Sequence, residues 1–160
     1  FAAEGYWLDI GTPAGYLQGT FDILEGNVTT ELGTRLEDAR RTLAVGARVE
    51  GRLVAPALVG EGSTIAAGAI VGGRVVLGRD VTIAAGAHVE SSVVLDGASI
   101  GAGTRVSSSI VGPGASIGEH CRIDGGVVLG ERVRLGAGNV LSAGARLFPG
   151  VELPDGAIRF

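Results

Sequence analysis

The chain has 160 residues, 46% of them hydrophobic, which is enough for one domain with a real core. Its formal net charge of −4 leaves nothing to attract nucleic acid or an anionic membrane, so neither is expected as a partner. A single cysteine, Cys121, excludes an internal disulfide and suits a reducing, cytoplasmic setting; no stretch reads as a signal peptide or a membrane span.

The chain lacks Met altogether and reads as starting inside a longer protein. Its first segment is set apart by composition. Five of the seven aromatics, Phe1, Tyr6, Trp7, Tyr16 and Phe21, lie in the first 21 residues. Within this block Asp9 stands between Leu8 and Ile10, just before a turn at Gly11 and Pro13. A carboxylate in that place can simply cap a backbone amide. Thr12 followed by Pro13 is a good helix start, Tyr16, Leu17, Phe21 and Leu24 form an apolar stripe, and Gly26 is a stop. A second short helix is expected around Glu37 to Leu43.

From there a repeat governs the sequence. The spans VGEGSTI, LGRDVTI, VLDGASI, VGPGASI, LGERVRL and LFPGVEL begin at residues 59, 77, 94, 111, 129 and 147. Their first residues make one aliphatic column, from Val59 through Leu77 to Leu147. Six residues on, Ile65, Ile83, Ile100, Ile117, Leu135 and Leu153 make a second. Six further, Val71, Val89, Val106, Ile123 and Leu141 make a third. Neither the 3.6 period of a helix nor the 2.0 period of a flat strand produces this spacing. Three hexads per coil describe a triangular prism, with one short strand and one corner per hexad. Small residues two before the second column (Ser63, Ala98, Ala115 among them) suit a narrow interior. Three residues after it, Gly68, Gly86, Gly103, His120, Gly138 and Gly156 mark a corner that favours positive φ. Six coils at roughly 4.8 Å would give a rod of about 30 Å. Before Val59 the register is open, since Leu53 and Val54 compete for one column.

This pattern resembles the hexapeptide-repeat left-handed β-helix over about residues 45 to 158, and the resemblance supplies the handedness, against the usual right-handed crossover. The expected fold is therefore mainly β, about six coils or slightly more, preceded by a short helical segment. The upstream stretch GYWLDIGTPAGYLQGTFDILEG resembles the last segment of the catalytic domain of sugar-1-phosphate nucleotidyltransferases, especially the mannose-1-phosphate guanylyltransferase type. Many of those enzymes continue into such a β-helix. Residues 1–44 then form the tail of a catalytic domain with linker helices, and 45–160 the β-helix domain.

The resemblance implies a parent reaction in which a nucleoside triphosphate and a sugar 1-phosphate give a nucleotide sugar and pyrophosphate, GDP-mannose above all. It implies that Asp9, with a second aspartate from the missing N-terminal catalytic domain, holds Mg²⁺ against the phosphates. The family's G-x-G-T-R-x-x-P-L-T loop is absent; Leu32-Gly33-Thr34-Arg35 lacks the preceding glycine and the following Pro-Leu-Thr. No catalytic set is complete here, and the isolated β-helix is expected to be inactive and to need no cofactor.

Other hexapeptide-repeat proteins are acyltransferases with a histidine base, which makes His88 and His120 the candidates for a rival activity. His120 sits at a corner and reads as an exposed turn. His88 should point outward in a stack with Arg105 and Arg122, a solvated ladder able to bind an anion or a partner carboxylate. Cys121 falls at a small inward position and reads as packing. One outer face stands out, because Leu58, Val76, Val93, Ile110 and Val128 all precede the first column and point outward. Such a stripe needs a cover. The N-terminal helix is one candidate, and another subunit of a homo-oligomer or the catalytic domain is the other. A third reading makes the prism an oligomerisation module without a site.

Overall fold

A computed structural model describes residues 5–159, so Phe1 lies outside the described residues. Two helices come first. α1, Pro13–Glu25, begins where Thr12 Oγ1 accepts a hydrogen bond from the Gly15 amide at 3.0 Å and ends at Gly26, whose φ of 79° makes the left-handed cap. Both ends follow the sequence signals. α2 does not lie where the sequence reading put it. It spans Glu31–Asp38, because Thr30 Oγ1 caps the Gly33 amide at 2.8 Å and Leu36 supplies the buried face. Arg40 and Arg41 then take φ of 51° and 60°, which stops the helix and turns the chain into the first strand, Thr42–Leu43.

The rest is a left-handed parallel β-helix built from three parallel sheets of seven, seven and six strands. Every strand pairs with the one a full coil away. Val76 lies beside Val93, Thr82 beside Ser99 and His88 beside Arg105. The three columns of the sequence map one onto each face. Register before Val59 resolves through pairing, with Leu53 beside Val71, so Leu53 and not Val54 takes the third column.

The core is narrow and continuous. Its aliphatics from Val59 to Leu141 are almost fully buried, whereas Leu147 and Leu153 in the last coil are only partly covered. Each fully buried aliphatic contributes about 1.5–3 kcal/mol. Polar inward residues are satisfied by tying one coil to the next. Ser63 Oγ donates to Gly78 O at 2.8 Å and accepts from the Val81 amide at 2.9 Å. Thr104 does the same between Gly118 O and the Cys121 amide. Asn139 donates to Gly136 O and Pro154 O and accepts from the Ile158 amide, which fastens the chain end to the prism. Cys121 belongs to this stack, and burial pushes its thiol above the usual range.

The predicted corner is left-handed at every residue named for it, from Gly68 at 77° to His120 at 54°. One glycine carries a harder constraint. At Gly72, φ is 144° and a Cβ would meet the Val54 carbonyl oxygen at 1.8 Å. At Gly68 a Cβ would find nothing nearer than 3.6 Å. Gly72→Ala should therefore cost about 3 kcal/mol or more, and Gly68→Ala only about 1 kcal/mol. Urea unfolding of the two variants measures this, and equal losses would refute it.

Candidate functional site

The stripe Leu58, Val76, Val93 and Ile110 faces the two helices. Leu17, Phe21 and Leu24 of α1 and Leu36 of α2 form one apolar cluster with Val93, and Leu58, Val76, Ile110 and Leu95 pack around it. Of the two covers anticipated, the chain's own helices occupy this one. Val128, one coil further, is half-buried and outside that cluster. Beside it runs a groove of about 420 Å³ between Pro13, Leu17 and Phe21 on α1 and Ile110, Val127 and Arg146 on the prism.

Two arginines latch the helices down. The Arg74 guanidinium lies 4.9 Å over the Phe21 ring, a cation–π contact, and reaches Glu25 at 3.9 Å. Arg41 donates to Leu24 O at 3.0 Å, at the C-terminal end of α1 where a cation is favoured. Neither latch was recognised in the sequence, because nothing local links a corner residue to a helix far upstream.

The Asp9 segment lies against the opposite side of α1. Leu8 and Ile10 approach Gly19, and a Cβ at Gly15 would stand 2.2 Å from the Asp9 carbonyl oxygen. Tyr16, assigned to the inward stripe by sequence, instead joins Tyr6, Leu8, Ile10, Ile23 and Val28 around an apolar groove of about 230 Å³. Trp7 is 84% exposed beside it. Asp22 anchors the arrangement. It is buried and accepts hydrogen bonds from Tyr6 Oη, Gln18 Nε2 and Asn27 Nδ2. The Tyr6 hydroxyl, then the Asn27 amide, holds its carboxyl below the usual range against the opposing effect of burial.

Asp9 itself is exposed, and its Oδ1 accepts from the Gly11 amide at 2.8 Å. That is the capping arrangement, and it leaves Oδ2 free. No group of three or more His, Cys, Asp or Glu able to hold a metal occurs among the described residues. The described residues therefore show Asp9 as a turn cap and bring no second carboxylate to it.

The histidines are far apart in role. His120 is an exposed corner residue whose ring lies over Gly103. His88 is half-buried, stacked beside Arg105 and Arg122 as its register required, with Nε2 3.8 Å from Glu90 Oε2. Glu90, Ser107 and Asp124 complete the walls of a polar groove of about 420 Å³ there. The structure therefore brings His88 to a groove with a carboxylate neighbour and leaves His120 without one among the described residues. No helix among them is long and apolar enough to cross a membrane.

A family model described as the GMPPB C-terminal domain matches residues 53–154. No curated protein matches the chain. Among solved structures, the acetyltransferase domain of PglB from Neisseria gonorrhoeae, in complex with acetyl coenzyme A, is 21% identical with a TM-score of 0.63. That alignment covers 76% of this chain and 61% of that one, so this chain spans less than two thirds of that structure. A mutant GDP-perosamine N-acetyltransferase from Caulobacter crescentus, in complex with CoA and GDP-perosamine, is 21% identical with a TM-score of 0.59, over 84% of this chain and 70% of that one. At these identities the likeness is one of fold.

The Asp22 arrangement has a pH consequence. A carboxyl depressed in the folded state gives stability that is present above its unfolded pKa and lost as pH falls through the folded value. Thermal midpoints should accordingly drop from about pH 5 downwards, and the acid limb should flatten in Asp22→Asn and in Tyr6→Phe. Parallel curves for wild type and both variants would show that Asp22 is not the responsible group. In the helix–prism contact, Leu24→Ala should cost about 2–5 kcal/mol and raise binding of an apolar dye as the stripe is uncovered. Unchanged dye binding would mean that the helices do not act as the cover.

Proposed function

Because the chain belongs to the GMPPB C-terminal domain family, we propose that it is the C-terminal part of a sugar-1-phosphate nucleotidyltransferase. That match, in register with the hexad repeat and preceded by the GYWLDIGTP segment, is the observation that carries the reading. In the parent reaction a sugar phosphate oxygen attacks the α-phosphorus of the nucleoside triphosphate. The bond to the β-phosphate breaks and pyrophosphate leaves. We assign guanosine and mannose as base and sugar on the resemblance of the opening segment. Asp9, with a second aspartate from the catalytic domain, would hold a Mg²⁺ ion, which when bound would offset charge on the phosphates. The apolar groove around Tyr6, Ile10 and Tyr16, with exposed Trp7, then continues into that domain. The prism carries no nucleotidyl-transfer chemistry and serves assembly.

One observation favours a second reading, transfer of an acyl group to a sugar. His88 lines a groove and has a carboxylate, Glu90, near its imidazole, an arrangement that suits a general base. His120 lacks such a setting.

The test is to extend the reading frame upstream of Phe1 and assay its product for pyrophosphate release from GTP and mannose 1-phosphate with Mg²⁺. Activity is expected, with kcat lowered about 100-fold in Asp9→Asn. Full activity in Asp9→Asn would remove Asp9 from the site. Thermal protection of the 160-residue chain by acetyl-CoA, lost in His88→Ala, would transfer the assignment to the second reading.

A further inference from the structure

Asp9 sits in a stretch with little structure of its own. Residues 6–10 form neither helix nor strand, and no backbone hydrogen bond joins them to another element among the described residues. The bond from the Gly11 amide to Asp9 Oδ1 fixes the side chain within its own turn, and does not fix the turn on the rest of the protein. That task falls to α1. Thr12 holds one end of the stretch by accepting from the Gly15 and Tyr16 amides. Leu8 and Ile10 lie over Gly19, and the Asp9 carbonyl lies over Gly15. At the other end the Tyr6 hydroxyl donates to Asp22. The stretch thus runs back along the helix, held at Thr12 and at Tyr6, with Asp9 midway.

The two oxygens of the buried Asp22 carboxylate are divided between tasks. Oδ1 accepts from Gln18 Nε2 at 2.9 Å and from Asn27 Nδ2 at 3.2 Å, both local to the end of α1. Oδ2 accepts from Tyr6 Oη alone among the described residues. The local donors serve Asp22 as a helix residue, and the second oxygen answers only the distant hydroxyl. Releasing Tyr6 would leave that oxygen short of a donor, which opposes release. α1 is in turn seated on the prism by Leu17, Phe21 and Leu24 and by the two arginine latches. Contacts therefore run unbroken from the prism through Asp22 and Tyr6 to the Asp9 turn.

We propose that Asp22 is a positioning residue for Asp9: by clamping Tyr6 it holds the Asp9 turn in one place on α1, and so relative to the prism. Its part in transfer rests on the nucleotidyltransferase reading, whereas the clamp itself does not.

The clamp is read in the 160-residue chain, where Trp7, the only tryptophan, stands between Tyr6 and Asp9. Time-resolved anisotropy of Trp7 should lose amplitude to fast local motion in Asp22→Ala and in Tyr6→Phe, with the circular dichroism of wild type. Tyr6→Phe removes one oxygen from a half-exposed ring, so it keeps the test open should Asp22→Ala fail to fold. Asp22→Asn, which still offers Tyr6 a hydrogen-bonding group, should lie between. In the product of the extended reading frame, Asp22→Ala and Tyr6→Phe should each lower kcat roughly tenfold and leave KM for mannose 1-phosphate unchanged. In an Asp9→Asn background neither should lower kcat further, because a residue that acts through Asp9 then has nothing to position. Unchanged anisotropy in both variants would overturn the clamp. Losses that multiply with that of Asp9→Asn would overturn the positioning role and leave Asp22 a stability residue. A wild-type product that releases no pyrophosphate would instead overturn the nucleotidyltransferase reading, and with it the part in transfer, while the anisotropy still decides the clamp.

Discussion

Each coil of the prism has to close on itself, after 17 or 18 residues from Val59 to Leu147, because its strands find hydrogen-bond partners only in the coils above and below. Thr64 donates to Val81 O, Thr82 to Ala98 O and Ser99 to Ala115 O, at 2.8–3.0 Å. The extra residue of the longer coils is taken up at a corner, because a strand paired one residue out of register would turn its inward aliphatic outward. Corner geometry, the small interior residues and the straight aliphatic columns all follow from this closure. It also explains why Asp80, His120 and Arg132 accept left-handed φ at corners where sister coils use Gly. The cost of roughly 1–2 kcal/mol for each is spread over a continuous ladder.

The same closure makes outer faces regular, and regularity creates a problem on the first face. Stacked aliphatics at Leu58, Val76, Val93 and Ile110 cannot remain in water as a continuous stripe. α1 and α2 cover it through a second apolar cluster, separate from the prism interior. Two arginine latches hold that cover, Arg41 on the last turn of α1 and Arg74 on Phe21. α1 is thus apolar on two sides. One side seals the prism, and the other meets the Tyr6–Ile10 segment in a groove that remains partly open.

Charge follows the same repeat. Columns of Thr and Ser on the second face and of His and Arg on the third are set one coil apart by backbone pairing, whatever their sign. Elsewhere on the surface a cation can be answered locally. Arg79 and Asp96, one coil apart, bond through both backbone and side chain, and this draws the Asp96 carboxyl below its usual range. Repeat architecture therefore sets side chains of one kind in columns, and acids in the adjoining column, Glu90 and Asp124, share the groove with Arg105 and Arg122.

The sequence by itself determined the prism. Period six is local information, repeated until no alternative fits, so the three columns, the positive-φ corner and the packing role of Cys121 were legible in it. The Thr12 cap and the Gly26 stop were legible for the same reason, since each acts within one turn. Only the tertiary structure decided the rest. α2 lies at Glu31–Asp38 because its buried Leu36 meets the α1 and prism cluster, a contact no local signal records, while the Thr30 cap was a local signal passed over. Leu53 prevailed over Val54 through pairing with a strand 18 residues on. Tyr16 turned away from the stripe, and Asp22 became a buried acceptor, because α1 has a neighbour on each side. The first face is covered from within for a reason the columns cannot express: what lies outside a stripe depends on long-range packing, and periodicity specifies only the stripe.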